Sequence, residues 1–154
     1  MKLVDANVLL GFLLNDIPEQ SDVARRAIES GAAAEIEVVA EVVYVSQRVY
    51  EVPRKEIAEV LGDLCPKLAC SRMSVLIEAL EAYGFTSLDF VDCVLLASAK
   101  VEHADVLTFD KKLAKAIVNF SYHFISLSLK NKTRRYFDLY LQESYVVLSN
   151  IHKS

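Results

Sequence analysis

Short apolar runs that end on an acid recur along this chain. Residues 2–4 lead into Asp5, and NVLLGFLL (7–14) then reads as a helix start. Residues 36–39 are β-branched and bounded by acids, Glu41 closes the run, and VVYVSQRVYE continues with apolar residues at mixed helical spacing. In VLTFD, residues 106–109 predict a strand that Asp110 ends, after which Leu113, Ala116 and Ile117 have helical spacing. Between these runs the pattern predicts a helix over about 19–30 stopped by Gly31. A second begins near Pro53, and a third runs over about 73–83 and is stopped by Gly84. Strands alternating with helices imply an α/β fold, a mostly parallel sheet with helices on both faces. Ligands in such folds bind beyond the carboxyl ends of the strands. Asp5, Glu41 and Asp110 all stand at that end by this reading.

The stretch SLDFVDCVLLASAK (87–100) predicts another helix, with Asp89 and Asp92 on one face of its first turn, where the macrodipole favours negative charge. The apolar residues from Cys93 to Ala97 leave no polar stripe, so the helix is expected to be covered on most sides, with Asp92 at a covered rim. A carboxylate there needs a partner, and a metal ion is one.

Composition narrows the chemistry. The 154 residues are 53% hydrophobic and 25% charged, enough for one domain with a core. The net charge of -4 conceals an asymmetry: residues 1–119 carry 12 Lys+Arg against 19 Asp+Glu, or -7, and residues 120–154 carry 5 against 2, or +3. An acidic body argues against a general nucleic-acid coating protein. It suits an enzyme that holds cations in an acidic pocket. Cys65, Cys70 and Cys93 are odd in number and lack paired spacing, which indicates neither a disulfide framework nor a zinc site and favours a cytoplasmic setting. The longest early apolar run, Val8 to Leu14, is too short and too flanked by acids for a signal peptide or membrane span.

Carboxylates converging at one sheet edge repel each other, and bound divalent cations relieve this. Asp and Glu oxygens without Cys or His partners favour Mg²⁺ or Mn²⁺, and His103, His123 and His152 have no ligand spacing. Such an ion suits phosphodiester hydrolysis without a covalent intermediate.

VDANVLL at the N-terminus, the acid in VAEVVY about 36 residues later, DFVDCVLLASA and VLTFDKKL together resemble, in order and spacing, the PIN-domain ribonucleases, especially the toxins of VapBC toxin-antitoxin pairs. The resemblance runs from Met1 to about Ile117 and implies a three-layer α/β/α sandwich. It makes Asp5, Glu41, Asp92 and Asp110 an acidic quartet that binds Mg²⁺ or Mn²⁺ and activates water, with Asn7 supporting Asp5 and Thr108 near the last acid. It further implies an RNA substrate, a homodimer and a small antitoxin partner. Ala6 departs from the threonine or serine common at that position.

Each residue also has a plainer reading. A single Asp after an apolar run is more often a helix N-cap than a ligand, and Asp89 fits a cap at least as well as a supporting or substrate-binding role. Glu41 has Glu35, Glu37 and Glu51 nearby but apolar flanks that set it apart. Lys111 and Lys115 share a helix face after Asp110 and, with Lys112, are candidates for holding RNA phosphates or for an ordinary solvated face. Arg25 with Arg26, and Arg48 with Arg54, are weaker candidates, and the cysteines read as core residues. The expected organisation is a nuclease domain over 1–128 and an extension over 129–154. Seven of the 14 Phe+Tyr lie in 120–154; residues 122–127 fit a last strand, and TRRYFDLYLQESYVVL fits a helix capped by Thr133 or a strand equally. This segment suits an extra packed element, a cover for a dimer face or an RNA contact. Against the ribonuclease stand a catalytically silent PIN module that binds RNA or a partner, and a different magnesium phosphohydrolase. The latter is disfavoured because Asn7, and not an acid, lies two residues after Asp5.

Overall fold

The computed structural model describes residues 1–128 along the backbone, and side chains up to residue 119. Its elements are α1 (Ala6–Leu14), α2 (Pro18–Glu29), α3 (Ile36–Arg48), α4 (Arg54–Leu64), a 3₁₀ turn (Cys65–Lys67), α5 (Met73–Phe85), α6 (Phe90–Val101) and α7 (Lys111–Ser128). Residues Met1–Ala114 form one compact unit, and the described residues from Lys115 onward fall outside it.

The parallel pairing expected of an α/β fold is present in reduced form. Leu3 pairs with Ala33 and Ala33 with Ala69, both in parallel. Val4 N donates to Ala33 O (2.9 Å) and Ala33 N to Lys2 O (2.8 Å); on the other side Ala34 N donates to Ala69 O (3.0 Å) and Ala69 N to Ala32 O (2.9 Å). Among the described residues these bridges do not lengthen into strands, so the full sheet of a three-layer sandwich is not developed. Residues 32–34 are the middle of the three segments although alanine is a weak strand former. Their small side chains let helices close over the chain, and all three are buried.

Two expected strands are corrected. Residues 36–39 lie in α3, which buries Ile36, Val39, Val42 and Val43, a helical spacing that outweighs the β-branched composition. Residues 122–127 lie in α7. At 106–109 burial alternates, with Val106 and Thr108 half-buried and Leu107 and Phe109 each 86% exposed, yet no pairing partner adjoins the segment among the described residues. The tail over 129–154 lies outside the described residues.

The helices behave as their sequences dictate. α2 has Pro18 at its first position and ends before Gly31, whose φ of 79° is the left-handed conformation that favours glycine. α5 runs through Gly84 and does not stop there. A Cβ on Gly84 would lie 3.0 Å from the Ala58 Cβ, so this glycine serves the close approach of α4 to α5. α3 packs against α1, α4 and α6, which makes it the joint of the body. Tyr83 is buried on α5, edge-on to Phe90 at 5.7 Å, with the Arg54 guanidinium 3.7 Å from its ring centre. Arg54 also donates to Tyr83 O at 3.1 Å and to Leu88 O, so it braces the chain from within.

Ala33→Val tests whether packing or strand propensity governs the central segment. Although valine is the better strand former, the added methyl groups overpack a site 1% exposed and should destabilise by about 1–3 kcal/mol in urea unfolding.

Candidate active site

Three of the acids singled out in the sequence begin helices. Asp5 N-caps α1, its Oδ1 accepting from Val8 N at 3.0 Å. Asp89 N-caps α6, its Oδ1 accepting from Asp92 N at 2.8 Å. Asp110 precedes α7, its Oδ1 accepting from Lys112 N (2.7 Å) and Leu113 N (2.9 Å). In all three the Oδ2 atom has no hydrogen bond among the described residues. Capping therefore fixes the direction of each carboxylate and leaves one oxygen for another cation or donor.

Asp92 sits in the first turn of α6 and is half-buried. Burial, then the neighbouring charges of Asp89 and Asp110, raise its carboxyl above the ordinary range. Asp110 is held below that range by the Leu113 and Lys112 backbone N–H groups. Acids 18 or more residues apart in sequence thus share one field at the start of α6, and no lysine or arginine pairs with Asp92 among the described residues.

Glu41 does not end a strand. It lies in mid-α3, exposed. Asp5, also exposed, lines a cleft of about 430 Å³ with Asn7, Gly11, Glu19 and Gln20. Asn7 makes no hydrogen bond to Asp5 among the described residues, although both line this cleft. Thr108 does support its acid, its Oγ1 accepting from Asp110 N at 3.0 Å. Lys111, Lys112 and Lys115 are exposed, and Lys115 is the first residue outside the compact unit.

The all-oxygen chemistry fits a hard divalent cation, and Asp92 is coupled first to Asp89 and then to Asp110. Among the described residues, however, no three acids, histidines or cysteines stand close enough to hold one ion. Cys65 and Cys93 are buried thiols pushed by burial up to about 12 and about 11, and take no part.

The profile of the PIN domain matches residues 2–118. The chain belongs to the PIN domain family. PIN domains are generally nucleases, hydrolases of nucleic acids that as a rule use divalent metal ions. Neither the comparison with curated proteins nor that with solved structures gave a match. No helix among the described residues is long and apolar enough to cross a membrane.

This PIN domain also aligns Arg48, a weaker candidate from the sequence, with Tyr44, which had no sequence signal. Once 36–48 is a helix, Tyr44 and Arg48 follow Glu41 at intervals of three and four residues on one α3 face.

Two stability tests follow. Asp5→Ala removes the α1 cap and should cost about 1 kcal/mol, whereas Asp5→Asn, which can still cap, should cost a few tenths; chemical unfolding of both reads the difference. For Asp92, a raised folded pKa means that the ionised group opposes folding above its titration and that acidification relieves this. Asp92→Asn in EDTA should accordingly raise the melting temperature at neutral pH. The gain should vanish as pH falls through the usual carboxylate range.

Proposed function

We propose that this PIN domain is an endoribonuclease dependent on Mg²⁺ or Mn²⁺ and the toxin of a toxin-antitoxin pair, held in check by a small antitoxin protein and acting as a homodimer. The observation that supports the nuclease chemistry is Asp92, a half-buried carboxylate with no cationic partner among the described residues, in the field of Asp89 and Asp110. Asp92 and Asp110 would hold the ion, with Asp5 and Glu41 completing the set by family resemblance. When bound, the ion supplies charge stabilisation at the phosphate and a bound water of lowered pKa.

The chain's own groups orient and attract. Backbone N–H groups at the start of α7 fix Asp110 through Oδ1, and Thr108 holds the turn before it. Lys111 and Lys112 add positive charge beside that carboxylate, suited to a phosphate backbone. The toxin role, the antitoxin and the dimer rest on the VapC-like order of the motifs alone.

A second reading is favoured by the spread of the acids. Because no three of them gather around one point among the described residues, a catalytically silent PIN module that binds RNA or a partner protein fits the geometry too.

Incubating purified protein with a mixed pool of structured cellular RNAs in Mn²⁺, in Mg²⁺ and in EDTA separates the two. Metal-dependent cutting that falls at least a hundredfold in Asp92→Asn and in Asp110→Asn is the expected result. RNA binding without cutting under every condition would support the silent module. Growth arrest on expression in a bacterial host, absent for Asp92→Asn, checks the toxin role.

A further inference from the structure

A cleft of about 320 Å³ lies between α3 and the start of α6, with Tyr44, Gln47 and Arg48 of α3, Tyr83 of α5, and Asp89 and Phe90 of α6 among its walls. Asp89, which caps the helix carrying Asp92 and accepts from Asp92 N, is a wall of this cleft, so the cleft adjoins the first turn of α6. Its lining is not that of a purely apolar groove. The Tyr83 hydroxyl donates to Gln47 Oε1 at 2.9 Å, which fixes the amide and leaves its NH₂ group, with no partner among the described residues, as a pair of donors. Tyr83 is itself held by Arg54 stacked on its ring and by Phe90 edge-on, so the floor is rigid. At the rim, Tyr44 is 63% exposed, an amphipathic ring left to solvent, and Arg48 stands one turn farther along α3 without an acid partner among the described residues.

We propose that this cleft is a nucleobase subsite for a single-stranded segment of the RNA next to the scissile phosphate. Tyr44 provides the stacking face, the Gln47 amide donates to an acceptor edge of the base, and Arg48 takes the following phosphate. Aromatic stacking beside a guanidinium is the usual means of holding an unpaired base, and it needs an exposed ring next to a positive charge. Glu41 and Arg48 are seven residues apart, about 10 Å along the helix, so one face of α3 carries Glu41, Tyr44 and Arg48 in line. A pocket whose fixed amide offers donors favours bases that present acceptors, which makes Gln47 a determinant of cleavage preference. The subsite rests on the nuclease reading for its meaning, but binding can be measured without cutting.

The experiment is a fluorescence-anisotropy titration of the full chain with labelled single-stranded RNA 12-mers of each base, in EDTA so that nothing is hydrolysed. In parallel, cleavage kinetics are recorded in Mn²⁺, and sedimentation velocity follows each variant. Tyr44→Ala should weaken binding about tenfold and raise KM with kcat little changed, and Tyr44→Phe should bind like the parent. Gln47→Ala should flatten the preference among the four strands, and Arg48→Ala should lower affinity for all of them and reduce its salt dependence. Equal binding by Tyr44→Ala and the parent overturns the subsite. So does a change in oligomeric state on Tyr44→Ala that by itself accounts for lost affinity, which would assign the cleft to contact with a second copy. If the parent binds none of the strands, the subsite is also overturned. Cleavage in Mn²⁺ by the same preparation then shows whether the nuclease reading stands apart from it.

Discussion

The backbone pairing of residues 2–4, 32–34 and 69 is the constraint on which the rest of the body depends. Four hydrogen bonds tie Ala32, Ala33 and Ala34 to a neighbour on either side, in a place where water cannot replace them. Each of these segments then hands the chain to a helix or a turn, so the pairing fixes where α1 and α3 begin. Asp5 follows the first segment and Glu35 the second, and Glu35 accepts from Ser71 Oγ at 2.6 Å just after the third. Polar groups accordingly collect at the carboxyl end of the pairing while alanines fill its middle. The arrangement is that of an α/β fold pared down to its central contacts.

Around that pairing, α3 couples the two halves of the body, because it meets α1 on one side and α4 and α6 on another. Its buried face is aliphatic, and its exposed face carries Glu41, Tyr44 and Arg48. One helix thereby packs with one stripe and presents a charged and aromatic stripe with the other, and Arg54 braces the chain between Tyr83 and Leu88 from within. The position of Asp89 follows from that brace, since Leu88 O, one of its anchor points, is the residue immediately before the cap.

Much of the helical framework was legible in the sequence, and the sheet was not. Gly31 and Pro18 mark α2 because each acts locally, through φ and through a missing N–H group. The pairing segment at 32–34 carries no β-branched residue, whereas the β-branched run at 36–39 is helical, so propensity pointed four residues too far along. Gly84 misled for a related reason: its role is set by Ala58, which is distant in sequence. At the site, the link of Asp92 with Asp89 was readable from helical spacing, and that with Asp110 came from the order of the motifs. The hydrogen bond from Tyr83 to Gln47 had no sequence signal, because it joins α5 to α3 through side chains alone.

The caps carry one more consequence, for how this chain can change over evolutionary time. A carboxylate that both starts a helix and, in the proposed nuclease, faces a phosphate is held by two separate demands, and asparagine meets only the first. Loss of hydrolysis by an Asp-to-Asn exchange is therefore a nearly silent event for folding. From such a start, an active chain can drift into a binding one in single steps without passing through an unfolded intermediate.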